Sequence, residues 1–104
     1  VSHPYGDGGQ TYVTTFGPVP ERCILLDGLL LAIKVSSIPK DLRFDVNIPS
    51  IAHHYDLDFC LQANKHKLKL GTSSIWVVHQ SNGLKEQTQE FQDSQKYFVD
   101  KWTK

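Results

Sequence analysis

The longest apolar stretch, "CILLDGLLLAI" from Cys23 to Ile33, is broken in the middle by Asp27 and Gly28. That break limits the possible folds more than any other feature. The run is far shorter than the roughly 20 apolar residues that cross a bilayer, so it reads as soluble core with no transmembrane segment. Each half has the length of a strand, and an Asp-Gly pair favours the positive φ of a tight hairpin turn. A hairpin is one solution; a continuous buried strand kinked at Gly28 is the other. A carboxylate inside such a run is costly unless it is paired, solvent-facing or used. Asp27 is therefore either the polar member of a turn or, with Gly28, the wall of a cleft in which glycine lets a ligand approach the backbone closely.

With 104 residues the chain fits a single domain that buries roughly two thirds of the surface of its unfolded chain. Eleven basic and 11 acidic residues cancel, so no broad field draws in nucleic acid or an anionic membrane. Partners are selected by a local site. No basic segment precedes an apolar one after Val1, which reads as no signal peptide, and the missing initiator methionine fits a fragment. Cys23 and Cys60 lie in apolar stretches without CxxC spacing, the pattern of buried free thiols in a reducing, cytoplasmic setting.

Residues 1–21 carry four of the seven glycines and three of the five prolines and read as loop, with "TYVTTF" as one extended piece. "GDGGQ" lacks the preceding strand and following helix of a phosphate loop. "SSIPKDL" suits a short helix, with a serine to start it and Pro39 in the first turn, and "FDVNIPS" an irregular connection. From Tyr55 the residues Leu57, Cys60, Leu61, Ala63 and Leu68 recur at helical spacing, which predicts a helix over about 56–67, with Asp56 or Asp58 at its positive end. Lys65, Lys67 and Lys69 then form a solvated face. "SIWVVH" predicts a central strand ending at His79. Phe91, Phe98 and Trp102 mark one stripe of an amphipathic helix over 86–102. The fold class expected is α/β, a small mixed sheet with packed helices.

Residues two apart on a helix point about 200° apart, so Asp56 and Asp58 face one ligand only if Asp56 still belongs to the loop before the helix. Both cap and charge-match the helix start in one reading; in the other, Asp56 is a general base in a cleft there. His79, at the end of a strand, is either a hydrogen-bonded structural residue or one ligand of a Mn²⁺ or Mg²⁺ ion. His53 and His54 diverge if the segment is extended, one lining the cleft and one packing. No spacing in the chain marks zinc.

The ordered set "LLDGLLLAIK", "RFDVNIP", "HHYDLDFCLQANKHKLKLG" and "IWVVHQSNG" resembles the C-terminal half of a family 2-type glycosyltransferase domain with the GT-A fold. The likeness runs over residues 22–83, with 1–21 a loop-rich lead and 84–104 a terminal helix. It implies a nucleotide-sugar donor, a sugar, lipid or protein acceptor, and Mn²⁺ or Mg²⁺. It gives Asp56 the part of the base that deprotonates the acceptor hydroxyl, Asp58 that of a second acidic site residue, and His79 that of a metal ligand. Asp27, Gly28, His53 and Tyr55 would line the substrate site. Tyr55 stands where many members have Glu, and Gln62 where Arg is frequent. The nucleotide-binding half of such a domain is not among these residues. The alternative is a non-catalytic interaction module that oligomerises, or pairs with a partner subunit, through an exposed sheet edge. A hydrolase or nuclease with a His/Asp metal cluster has too few ligands at convincing spacing.

Overall fold

A computed structural model describes residues 2–5, 10–13, 20–75, 77–78 and 88–103. They form a small mixed α/β protein with two helices. In chain order the elements are β1 (Ser2–Tyr5), β2 (Gln10–Val13), β3 (Arg22–Cys23), a 3₁₀ turn (Val35–Ser37), α1 (Tyr55–Lys65), β4 (Leu70–Gly71) and α2 (Gln89–Trp102). Both strand pairs are antiparallel: β1 with β2, Ser2 opposite Val13, and β3 with β4, Cys23 opposite Leu70.

Helix α1 lies where the apolar spacing predicts it and buries Asp58, Phe59, Cys60 and Ala63. It stops in a way glycine counting does not reveal. Lys67 adopts φ 60°, and its amide bonds to the Asn64 carbonyl at 2.9 Å while the Leu68 amide reaches the Ala63 carbonyl at 2.9 Å. This is a Schellman ending with lysine in the left-handed position. Leu68 then folds back, with Ile38 and Leu70, onto the core of Leu42, Phe59 and Ala63. Helix α2 starts at a side-chain cap, the Thr88 hydroxyl accepting the Phe91 amide at 3.1 Å, three residues into the sequence-predicted span.

The interrupted apolar run becomes neither a hairpin nor a buried strand. Only Arg22–Cys23 pairs with a neighbour, and the chain turns at Gly28 and Leu29. Helix α1 takes over the backbone groups that a neighbouring strand would have satisfied. The Asn64 side-chain amide donates to the Ile24 carbonyl at 2.8 Å, and the Leu26 amide donates to Cys60 Sγ at 3.3 Å. Without a second strand to cover them, Ile24, Leu30 and Val35 stay 70%, 62% and 76% exposed. The central strand expected over "SIWVVH" is likewise reduced, among its described residues, to a single bridge at Val78. The short helix expected in "SSIPKDL" is the 3₁₀ turn, one residue earlier and ahead of Pro39. Among the described residues, no helix is long and apolar enough to cross a membrane.

Candidate functional site

The first turn of α1 is the site's foundation. Tyr55 opens the helix, and its hydroxyl donates to the Gly28 carbonyl at 3.3 Å. The next residue, Asp56, accepts the Gly28 amide on Oδ2 at 2.8 Å and the Leu57 amide on Oδ1 at 2.8 Å. Sequence neighbours on α1 thus hold both backbone polar groups of a residue far back in the chain. The glycine is required for space. Its φ lies outside the left-handed region, and a Cβ there would come within 2.8 Å of Tyr55 Cζ and 2.9 Å of Cε2. The chain does turn at Gly28, but without the hairpin or the positive φ expected of the Asp-Gly pair.

Asp56 is half-buried. A carboxylate offers about four lone-pair sites, and the two amide bonds occupy two of them. Capacity to accept a proton remains. The Tyr55 phenol is pushed above its ordinary value by burial, with the Asp56 and Asp27 carboxylates adding to the effect. It therefore stays an O–H donor through neutral pH. Its ring leans on Phe44, centroids 6.2 Å apart, and Phe44 stacks on the core residue Phe59 at 4.5 Å. Asp27 itself is exposed.

Asp58 turns the other way. It is fully buried, with Oδ1 accepting the Trp102 indole N–H at 2.9 Å and Lys101 Nζ at 2.7 Å, and Oδ2 accepting the Gln62 amide at 2.7 Å. Asp56 lies inside the helix and not in the loop before it, so the roughly 200° separation applies. The two carboxylates serve different neighbours. Lys101 also reaches Asp45 at 2.9 Å, and Asp45 accepts the Tyr97 hydroxyl at 2.8 Å and the Asn47 amide at 2.9 Å. Burial works to raise the Asp45 carboxyl, but Lys101, the Asn47 amide and Tyr97 outweigh it and hold it below the ordinary carboxylate value. Burial likewise opposes the Lys101 charge, and the two carboxylates overcome it and raise its pKa.

His53 and His54 do not diverge. His54 takes φ 69°, which bends the chain so that both rings meet Phe91 of α2, at centroid distances of 5.0 and 4.9 Å. His54 Nδ1 lies 3.1 Å from the buried Ser94 hydroxyl, which donates to the His53 carbonyl at 3.3 Å. Burial, helped by His53, lowers the His54 pKa against a smaller opposite pull from Asp56. His79 lies outside the described residues. Among those residues no three His, Cys, Asp or Glu side chains gather as a metal shell would need.

Sequence reasoning missed Asp45, Ser94 and Lys101. For Ser94 a signal existed, because it falls between Phe91 and Phe98 on the apolar stripe. Beyond the site, an open apolar groove of about 460 Å³ runs along α1, lined by Leu26, Ile33, Phe59, Cys60 and Leu70. No family model matches the chain, and no curated protein or solved structure is significantly similar to it.

Proposed function

We propose that this chain forms the acceptor and base side of a glycosyltransferase of the family 2 type, in the GT-A fold. Asp56 takes the proton of an acceptor hydroxyl, the resulting alkoxide oxygen attacks the anomeric carbon of a nucleotide-sugar, and the nucleoside diphosphate departs with inversion. The observation that supports this reading is the bond from the Gly28 amide to Asp56 at 2.8 Å. It joins the Asp-Gly loop and the Tyr-Asp helix start, two motifs of the resemblance that are remote in sequence. Mn²⁺ or Mg²⁺ would supply charge stabilisation for the departing diphosphate. The described residues gather no shell for such an ion, so the step assigned to this chain is the proton transfer to Asp56. Asp58 is read as a structural anchor of that helix, since both its oxygens are committed to protein donors.

The test is transfer by the full open reading frame containing these residues, supplied with Mn²⁺ and a panel of nucleotide-sugars and glycoside acceptors. A positioned base is worth about 10² to 10⁴ in rate. Asp56→Asn keeps one oxygen to accept the Gly28 amide, gives up the bond to the Leu57 amide, and should lose at least a hundredfold in kcat. Full activity in that variant, or no transfer with any donor, refutes the reading.

A second reading, a non-catalytic interaction module, is favoured by the apolar side chains left open between Ile24 and Val35. Contiguous exposed apolar surface marks interfaces. A concentration-dependent dimer in light scattering that Leu30→Lys abolishes would support it, and a monomer throughout would dismiss it.

A further inference from the structure

We propose that Tyr55 is a positioning residue, gripping the carbonyl of Gly28 while Asp56 grips its amide, so that the loop at residues 27–29 and the carboxylate of Asp56 are held as one unit. The inference rests on Asp56 being the base. The two bonds fall on different peptide planes. The Gly28 amide belongs to the plane before its Cα and the carbonyl to the plane after it, so together the 2.8 Å and 3.3 Å bonds pin both dihedrals of the residue with the greatest backbone freedom. The hold is reciprocal. The Gly28 amide fixes where Asp56 Oδ2 points, and the loop stays in place to supply that amide only while Tyr55 holds the carbonyl.

The Tyr55 ring adds a steric part. It fills the space that a side chain at 28 would take, with Cζ and Cε2 at 2.8 and 2.9 Å from that position. It is braced from behind by Phe44, which stacks on Phe59 in the core. A continuous line of contacts therefore runs from the core through Phe59, Phe44 and Tyr55 to Gly28, and from there to the carboxylate. Burial, with the negative charges of Asp56 and Asp27 adding to it, keeps the proton on the phenol, so the bond to the carbonyl persists across the neutral range.

Tyr55→Phe isolates the hydroxyl, since the ring and its bracing remain. In the full open reading frame, hydrogen exchange at Gly28 should quicken about fivefold, the factor carried by one hydrogen bond of ordinary net strength, with exchange in the middle of α1 unchanged. The kcat for transfer should fall between about fivefold and, if the carboxylate moves by as much as 1 Å, a hundredfold, while KM for the nucleotide-sugar stays as in the wild type. Unchanged exchange at Gly28 overturns the inference whatever the activity. Faster exchange with kcat intact, in a protein whose Asp56→Asn variant is dead, overturns the positioning role and leaves the base in place. A wild type without transfer, or a fully active Asp56→Asn, removes the base and the positioning role with it.

Discussion

Replacing Asp58 by Asn separates an anchor from a catalytic group. The substitution keeps the shape of the side chain and removes its charge. With the amide oxygen placed at the Oδ1 position it can still accept from Trp102 and Lys101. The new NH₂ then meets the Gln62 NH₂ where a 2.7 Å bond had been. Gln62 cannot turn over to relieve this, because its amide also donates to the Arg43 carbonyl at 2.8 Å and its oxygen accepts the Arg43 amide at 3.4 Å. One charge-assisted bond is lost outright, worth about 1.5–3 kcal/mol, and the Lys101 contact is reduced from an ion pair to a bond between the ammonium and a neutral amide oxygen. Removing one partner of a fully buried pair costs about 3–5 kcal/mol. Lys101 is partly exposed and keeps Asp45, so the lower end applies, about 3 kcal/mol. A domain of this length has a total stability of about 5–15 kcal/mol, and the loss should lower Tm by at least about 12 °C. Urea unfolding followed by tryptophan fluorescence measures it, with an unchanged slope as the check that only stability has moved. A loss below about 0.5 kcal/mol would refute the anchoring role. Undiminished stability together with abolished transfer would return Asp58 to the active site.

Two further outcomes follow from the same geometry. Burial holds the His54 pKa below its ordinary 6.5, so the unfolded chain takes up the proton first. Its contribution is complete above pH 6.5 and is lost as pH falls through the lowered folded value. His54→Asn, which tolerates the positive φ, should flatten the fall in Tm between pH 7 and 5.5, and an unaltered slope would show that another group is responsible. Gly28→Ala drives a methyl into the Tyr55 ring and should cost about 1–3 kcal/mol. In a Tyr55→Ala background the cost should nearly vanish, and strict additivity in thermal melts would contradict the packing described.

The helices were legible because each is written in local periodicity. Leu57, Cys60, Leu61 and Ala63 mark α1, and Phe91, Phe98 and Trp102 mark α2, so their existence follows from spacing alone, although α1 buries Phe59 beside Cys60 and Ala63 and leaves Leu57 and Leu61 only half-buried. The sheet was not legible in this way. A strand needs a partner that its own residues do not specify, and "CILLDGLLLAI" and "SIWVVH" read as strands because of composition, while β3 and β4 are only two residues each. The acidic pair shows the same division at the level of the site. Its geometry on a helix followed from a 100° rotation per residue, but which carboxylate would be buried did not.

The sequence by itself determined that α1 begins near two aspartates, that α2 has an apolar stripe, and that a glycine sits inside the longest apolar run. Tertiary structure alone decided that Gly28 meets Tyr55 and Asp56, and that Asp58 is closed off by Lys101 and Trp102. The reason is range. Helical spacing is enforced by bonds between residues four apart, whereas the neighbours of a carboxylate come from packing elements dozens of residues away, and no local pattern carries that pairing.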